Sequence, residues 1–170
     1  MYYSSVKLVA EISTERRGND MHGYKEIAVA IDLSAESKAI IQRARDVASA
    51  DSHLHLVYVQ EPMDSVYMGV VPYGPVFVGM DEVETKLQAE LRGKLDAFSD
   101  SFNIPAANRH YLNGSPAREI HRFVEENAID LVVLGTHGQK GVQLLLGSTA
   151  NSVLHGSRCD VLAIRIADES

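Results

Sequence analysis

Hydrophobic positions along this chain change period repeatedly. KEIAVAI (25–31) is a short, nearly continuous apolar run that ends at Asp32, as expected of a buried strand. Between Ser34 and Ala50 the apolar residues Ile40, Ala44, Val47 and Ala48 follow i, i+4, i+7, i+8 spacing. That is one face of a helix, and Ser34 is its expected N-cap. LHLVYV (54–59) returns to a strand pattern. Over 80–103, Val83, Leu87, Leu91, Leu95, Phe98 and Phe102 recur every three or four residues and predict the clearest helix. NRHYL (108–112) reads as a third strand. Ser115-Pro116 opens another helix, with Pro at the first helical position, where its missing N–H costs nothing. Ile120, Phe123 and Val124 give that helix its apolar face. DLVVL (130–134), a helix from Ser148 and DVLAIRI (160–166) complete the alternation.

Strands separated by helices mean βαβ units and a mostly parallel sheet. Such strands are covered on both faces, which explains why KEIAVAI and DLVVL are almost wholly apolar. The expected fold is therefore a doubly wound α/β sandwich with helices on both faces. Ligands in such folds bind at the carboxyl ends of strands, where strand order reverses. The strand at 25–31 ends in Asp32-Leu33-Ser34, and that at 130–134 ends in Gly135-Thr136-His137-Gly138. If these two strands are neighbours, both motifs face one crevice.

The second motif carries the chemistry. GTHGQKGVQLLLGSTAN (135–151) places glycines at 135, 138, 141 and 147, followed by Ser148, Thr149 and Asn151. Glycine allows close backbone approach to a ligand and positive φ, and Ser and Thr add hydroxyl donors near a helix N-terminus. Strand, glycine-rich loop and new helix make an anion site suited to phosphate. Glycines that merely form turns are the alternative, and the spacing does not separate the two readings.

Composition narrows the partners. The chain has 170 residues, 45% hydrophobic and 23% charged, which fits one globular domain. Its net charge of −7 argues against nucleic acid or an anionic membrane surface as partner. A bound phosphate must then be held by local dipoles. Cys159 is the sole cysteine, which rules out an internal disulfide and suits a reducing compartment; a packed thiol is expected. No apolar run is long enough for a membrane span. Residues 1–20 lack the pattern of a signal peptide. They are expected to be a mobile appendage to a single domain at 21–170, with Met21 preceding the first convincing element.

AVAIDLS, LVYVQEP, NGSPAREI, DLVVLGTHG, GSTANSVL and CDVLAIRI, in this order and spacing, resemble the universal stress protein family from about Tyr24 to Ile166. The resemblance implies a five-stranded parallel sheet ordered 3-2-1-4-5 and a cytoplasmic, commonly dimeric, stress-response protein. In the nucleotide-binding branch it further implies ATP, accompanied by Mg²⁺ or Mn²⁺. Asp32 then matches the aspartate close to the adenosine, and Val59 the residue whose backbone meets the adenine edge. Gly135, His137 and Gly138 match the first half of the glycine motif; Gly147, Ser148 and Thr149 match the second. One departure stands out: Gln139 to Leu146 is eight residues where the family motif has nine. One residue step is about 3.3–3.6 Å of extended chain, as large as a hydrogen bond is long.

Other motifs fail. A Walker A loop counted from Gly135 needs glycine at Lys140, and a dinucleotide fingerprint needs tighter glycines near the first strand. A receiver domain would need an acidic pair at the first strand, by analogy with that family, and only Asp32 is there. Asp32 has a second reading, as the cap of the helix that follows. Lys140 either neutralises phosphate or faces solvent, and Arg118 is expected on a solvated face. The seven histidines lack metal-ligand spacing, and His53 and His55 are expected at a surface or edge. Nothing marks a general base, so catalysis is expected to be absent or limited to slow ATP hydrolysis. The apolar loop 60–79 is either folded onto its own domain or a surface for a client protein. The strand 160–166 would be a sheet edge, which invites antiparallel pairing with a second copy. A dimer with an empty crevice, acting as a signalling or chaperone-like module, is the alternative to nucleotide binding.

Overall fold

A computed structural model of the chain describes residues 8–11, 23–62, 80–136 and 146–165. Its strands are β1 (Leu8–Glu11), β2 (Tyr24–Ile31), β3 (Ala48–Gln60), β4 (Arg109–Asn113), β5 (Leu131–Gly135) and β6 (Asp160–Ile164). The helices are α1 (Ser37–Val47), α2 (Met80–Ser101), α3 (Pro116–Glu126) and α4 (Ser148–Gly156). Among the described residues the strands form one sheet, ordered β1-β6-β5-β2-β3-β4. From β2 onward all pairings are parallel. Numbered from β2, those five strands run 3-2-1-4-5, as the resemblance implied.

Alternation along the strands divides the core in two. Ile27, Val29 and Ile31 of β2, with Leu131 and Val133 of β5, pack against Ile40, Ile41 and Ala44 of α1 and Leu95 of α2. Ala28, Val132 and Leu134 face the other way, against Ile120, Phe123 and Val124 of α3 and Val153 of α4. Central strands sandwiched in this way must be apolar on both faces. Val47 and Val83, read as core positions, are 38% and 56% exposed. Each lies in a terminal turn of its helix, where the apolar stripe has run off the sheet.

Helices α2 and α3 end alike. Asn103 and Ala128 take left-handed φ of 52° and 50°. The N–H of Ile104 then returns to the Ser99 carbonyl (3.0 Å), and that of Ile129 to Val124 (3.1 Å). This Schellman-type closure drops Ile104 and Ile129 into the core. Ser115 precedes Pro116 at the start of α3, as expected. Ser34 is not the N-cap of α1; that position is Glu36.

Two boundaries differ from the sequence reading. Strand β3 begins at Ala48, immediately after α1, rather than at 54. Its polar start, ASADSH, bulges, with Ala48 opposite Tyr24 and His53 opposite Glu26, and a side chain holds the bulge: Ser52 Oγ accepts from the Ser49 N–H (2.8 Å) and donates to the Tyr24 carbonyl. A further strand lies in the N-terminal segment. Within residues 1–20, expected as a mobile appendage, Leu8–Glu11 pair antiparallel with β6, Leu8 opposite Ile164 and Glu11 opposite Val161. A bare sheet edge exposes a row of unpaired N–H and C=O groups, and this stretch of the same chain satisfies it. The remainder of 1–20 lies outside the described residues.

Candidate functional site

Strand order reverses at β2, which has β3 on one side and β5 on the other. Unequal strand lengths open the crevice there. Pairing between β2 and β3 stops at Ile31 and Tyr58, whereas β3 and β4 stay paired to Gln60 and Asn113. The backbone of Val59 and Gln60 therefore extends beyond the end of β2. Val59 is half-buried, its side chain set against the α3/α4 core.

Asp32 closes β2 on the same side. Its Oδ1 accepts from the Ser34 N–H (3.0 Å) and from Ser37 Oγ (3.2 Å). Ser37 is fully buried, so this carboxylate is tied to a rigid point. Between them, Leu33 takes φ 59°, which is uncommon for a residue other than glycine and costs energy the surroundings must supply. Leu33 offsets it by packing into the α1/α2 core. Asp32 thus shapes the turn into α1 without being its N-cap, and the turn holds its half-buried carboxyl at the crevice.

Strand β5 delivers the other wall. Ala30 pairs with Leu134, so Asp32 and Thr136 follow their strands at the same level. Thr136 is buried; its N–H donates to the Ile164 carbonyl (2.9 Å) and its carbonyl accepts from the Gly147 N–H (2.7 Å). That last bond ties the residue after β5 to the residue before α4. Gly147 is the N-cap of α4, with φ −58°, and its carbonyl accepts from the Asn151 N–H (2.8 Å). Ser148 and Thr149 are the first two helical residues, exposed and half-buried respectively. Amides of a first helical turn have no partner within the helix and carry its positive dipole end.

Asp32, Val59, Gly135, Gly147, Ser148 and Thr149 therefore all lie at the carboxyl end of the sheet. His137, Gly138, Lys140 and all of the shortened stretch 139–146 but Leu146 lie outside the described residues, as does the loop beyond Pro62 up to 79. Sequence reasoning missed Leu33, Tyr58 and Thr136. Tyr58 is held above the usual phenol range by burial, then by Tyr111 and by the charge of Asp32. Its hydroxyl donates to Gln60 Oε1 (3.0 Å), and Arg92 stacks 4.5 Å from the Tyr111 ring beside it. The apolar alternation of LVYVQ did contain the signal, since Tyr58 and Gln60 share one face of β3.

The opposite end of the sheet holds a second polar cluster. His53 Nδ1 donates to Glu26 Oε1 and His55 Nε2 to Glu26 Oε2, each at 2.8 Å. One hydrogen bond joins His55 Nδ1 and His110 Nε2 at 3.1 Å, and the His110 ring lies 4.5 Å from that of Phe123. His53 is exposed, as expected. The expectation for His55 is corrected: β3 is an interior strand, and the His55 side chain is only 15% exposed. Among the described residues no group of three or more His, Cys, Asp or Glu is arranged to hold a metal. No described helix is long and apolar enough to cross a membrane. Cys159 is buried in the α3/α4 core.

Comparison with known proteins agrees with this architecture. The model of the universal stress protein family matches residues 23–165. Universal stress protein A homolog 1 of Coxiella burnetii is 37% identical over 145 residues, covering 85% of this chain and 97% of the relative. Homolog 2 of the same organism is 36% identical over 149 residues, covering 86% and 98%. Among solved structures, the universal stress protein UspA from Lactobacillus plantarum superposes with a TM-score of 0.65 at 24% identity, covering 84% of this chain and 99% of that one. A universal stress protein in complex with cAMP superposes with a TM-score of 0.57 at 22% identity, covering 84% and 98%. The chain belongs to the universal stress protein family, a family of stress-response proteins.

Proposed function

We propose that this member of the universal stress protein family binds an adenine nucleotide, ATP, in the crevice between Asp32 and the start of α4. The observation that carries the proposal is the Thr136–Gly147 clamp, which sets the first turn of α4 beside the end of β5 and one strand from Asp32. The two halves of the crevice suit the two halves of a nucleotide. On the α4 side, the first-turn amides and the hydroxyls of Ser148 and Thr149 attract phosphate oxygens, and Gly135, His137 and Gly138 complete the loop around them. This local dipole matters because the chain as a whole carries a charge of −7. On the β2 and β3 side, Asp32 accepts from ribose hydroxyls and the backbone at Val59 meets the adenine edge. Mg²⁺ or Mn²⁺ enters with the nucleotide as the counter-charge of its phosphates. The family relative in complex with cAMP supports an adenosine-and-phosphate ligand for this fold.

The role is regulatory: nucleotide occupancy reports to a partner, and hydrolysis, if any, is slow. A client protein reaches the chain through loop 60–79, and the protein acts in the cytoplasm. The shortened stretch 139–146 favours the competing reading, an interaction module with an empty crevice. Calorimetry with ATP-Mg²⁺ separates the two. A dissociation constant in the micromolar range is expected, and ligand at 100 times that value should stabilise the fold by about 2.7 kcal/mol. No heat and no rise in Tm at millimolar ATP-Mg²⁺ overturns nucleotide binding and leaves the interaction module.

A further inference from the structure

Strand β6 ends the parallel part of the sheet, and its outer edge is the natural seat for a second copy of β6. A two-fold axis through that edge pairs the two strands antiparallel. Strand β1 occupies the same edge in the same orientation, opposite Val161 to Ile164. In sequence, Leu8, Val9 and Ala10 are apolar like Val161, Leu162 and Ala163 of β6, and Glu11 differs from Ile164.

Chain direction explains why β1 can do this. Running antiparallel to β6, it ends opposite Val161, at the amino end of the parallel strands, which is where β2 begins. Three strand spacings separate β1 from β2, about 14 Å. The twelve residues from 12 to 23 could reach up to about 40 Å if extended, more than the separation requires.

We propose that Leu8–Glu11 is a built-in competitor for the dimer edge, and that its release exposes β6 to a second copy of this chain. The tethered strand meets the edge at an effective concentration on the order of millimolar. A second copy at micromolar concentration is therefore outcompeted while β1 is seated. Anything that draws the N-terminal segment away, or removes it, converts a closed monomer into a dimer. The proposal rests on the reading of β6 as a dimer edge, and is independent of nucleotide binding.

Three forms of the protein test it, followed by sedimentation from about 1 to 100 µM without nucleotide. A chain beginning at Met21 should dimerise at least tenfold more tightly than the full chain. The full-length double variant Val9→Pro, Ala10→Pro should do the same, because consecutive prolines remove the N–H groups that seat β1; it guards against a misfolded truncation. A full chain carrying Val9→Cys and Ala163→Cys, residues opposite one another, should form an internal disulfide when oxidised, stay monomeric throughout, and regain the association of the full chain on reduction. Equal association of the full, truncated and proline forms overturns the competition while leaving the dimer edge intact. Dimerisation of the oxidised chain, or its failure to form the internal disulfide, also overturns the proposal. If no form dimerises, the dimer edge itself is wrong and the proposal falls with it.

Discussion

The two ends of the parallel sheet carry polar residues of similar kinds and use them in opposite ways. At the amino end, polar groups are spent on one another. Glu26 takes hydrogen bonds from His53 and His55, and His55 is joined to His110. Asp130 accepts the N–H groups of Lys25 (2.9 Å) and Glu26 (3.1 Å), which brackets the start of β2. At the carboxyl end, strands stop at different levels, the chain passes through a strained residue at Leu33, and Thr136 is hydrogen-bonded to Gly147 at a helix N-terminus. The amino end resembles a fastening. The carboxyl end holds its groups at a crevice, the seat proposed above for a nucleotide. A carboxylate in such a fold therefore gets its meaning from which end of the strand it occupies.

That contrast can be broken most forcefully at Asp130. Asp130→Ala removes the acceptor for two backbone amides, and hydrogen bonds to a charged group contribute about 1.5–3 kcal/mol. A loss near 2 kcal/mol should lower Tm by about 4–8 °C in a chain of this size, measured by calorimetry. ATP affinity should not change. A lost affinity would show that the amino end also shapes the ligand site.

Asp32→Asn is the complement. Asparagine keeps an oxygen for the Ser34 N–H and the Ser37 hydroxyl, so the turn survives, but the charge toward ribose is gone. Affinity for ATP should fall tenfold or more, about 1.4 kcal/mol, with a smaller change in Tm. Unchanged affinity by calorimetry would reduce Asp32 to a turn residue.

The smallest effect lies in pH dependence at the amino end. Burial, and then the neighbouring His55, hold His110 below the ordinary histidine range. Below about pH 6.5 the unfolded chain takes up a proton there more readily than the folded one, so stability declines as the pH falls through this window. Glu26, held low chiefly by the hydrogen bond from His53, keeps its contribution until the pH falls below the ordinary carboxylate range. His53 is raised by the hydrogen bond and charge of Glu26, so its contribution is present at low pH and fades as the pH rises above about 6.5. His110→Phe should therefore flatten the decline in urea midpoint between about pH 6.5 and 5. An identical pH profile in the variant would show that the depressed histidine is not what makes the fold acid-sensitive.

Much of the carboxyl end was legible in advance. An apolar run closed by Asp32, and another closed by GTHG, identify strand ends by local pattern, and the family resemblance supplies their adjacency. The amino-end cluster was not legible, because His53, His55 and His110 are harmless as a spacing pattern. Only the pairing of β3 with β4, with His110 beside Val57, brings His55 and His110 onto one face. Thr136 escaped for the same reason: its importance lies in a bond to Gly147 across a loop.

By itself the sequence determined the period of each element, the two-sided burial of the central strands and the glycine-rich start of α4. Period and burial are properties of near neighbours, and a run of side chains carries them wherever it sits. Tertiary structure alone decided that β3 outlasts β2, that Thr136 clamps Gly147, and that Leu8–Glu11 fills the edge of β6. Each of these is a hydrogen bond, or a lack of one, between segments far apart in the chain. Backbone amides and carbonyls are the same in every residue but proline, so the side-chain pattern cannot say which of them will meet.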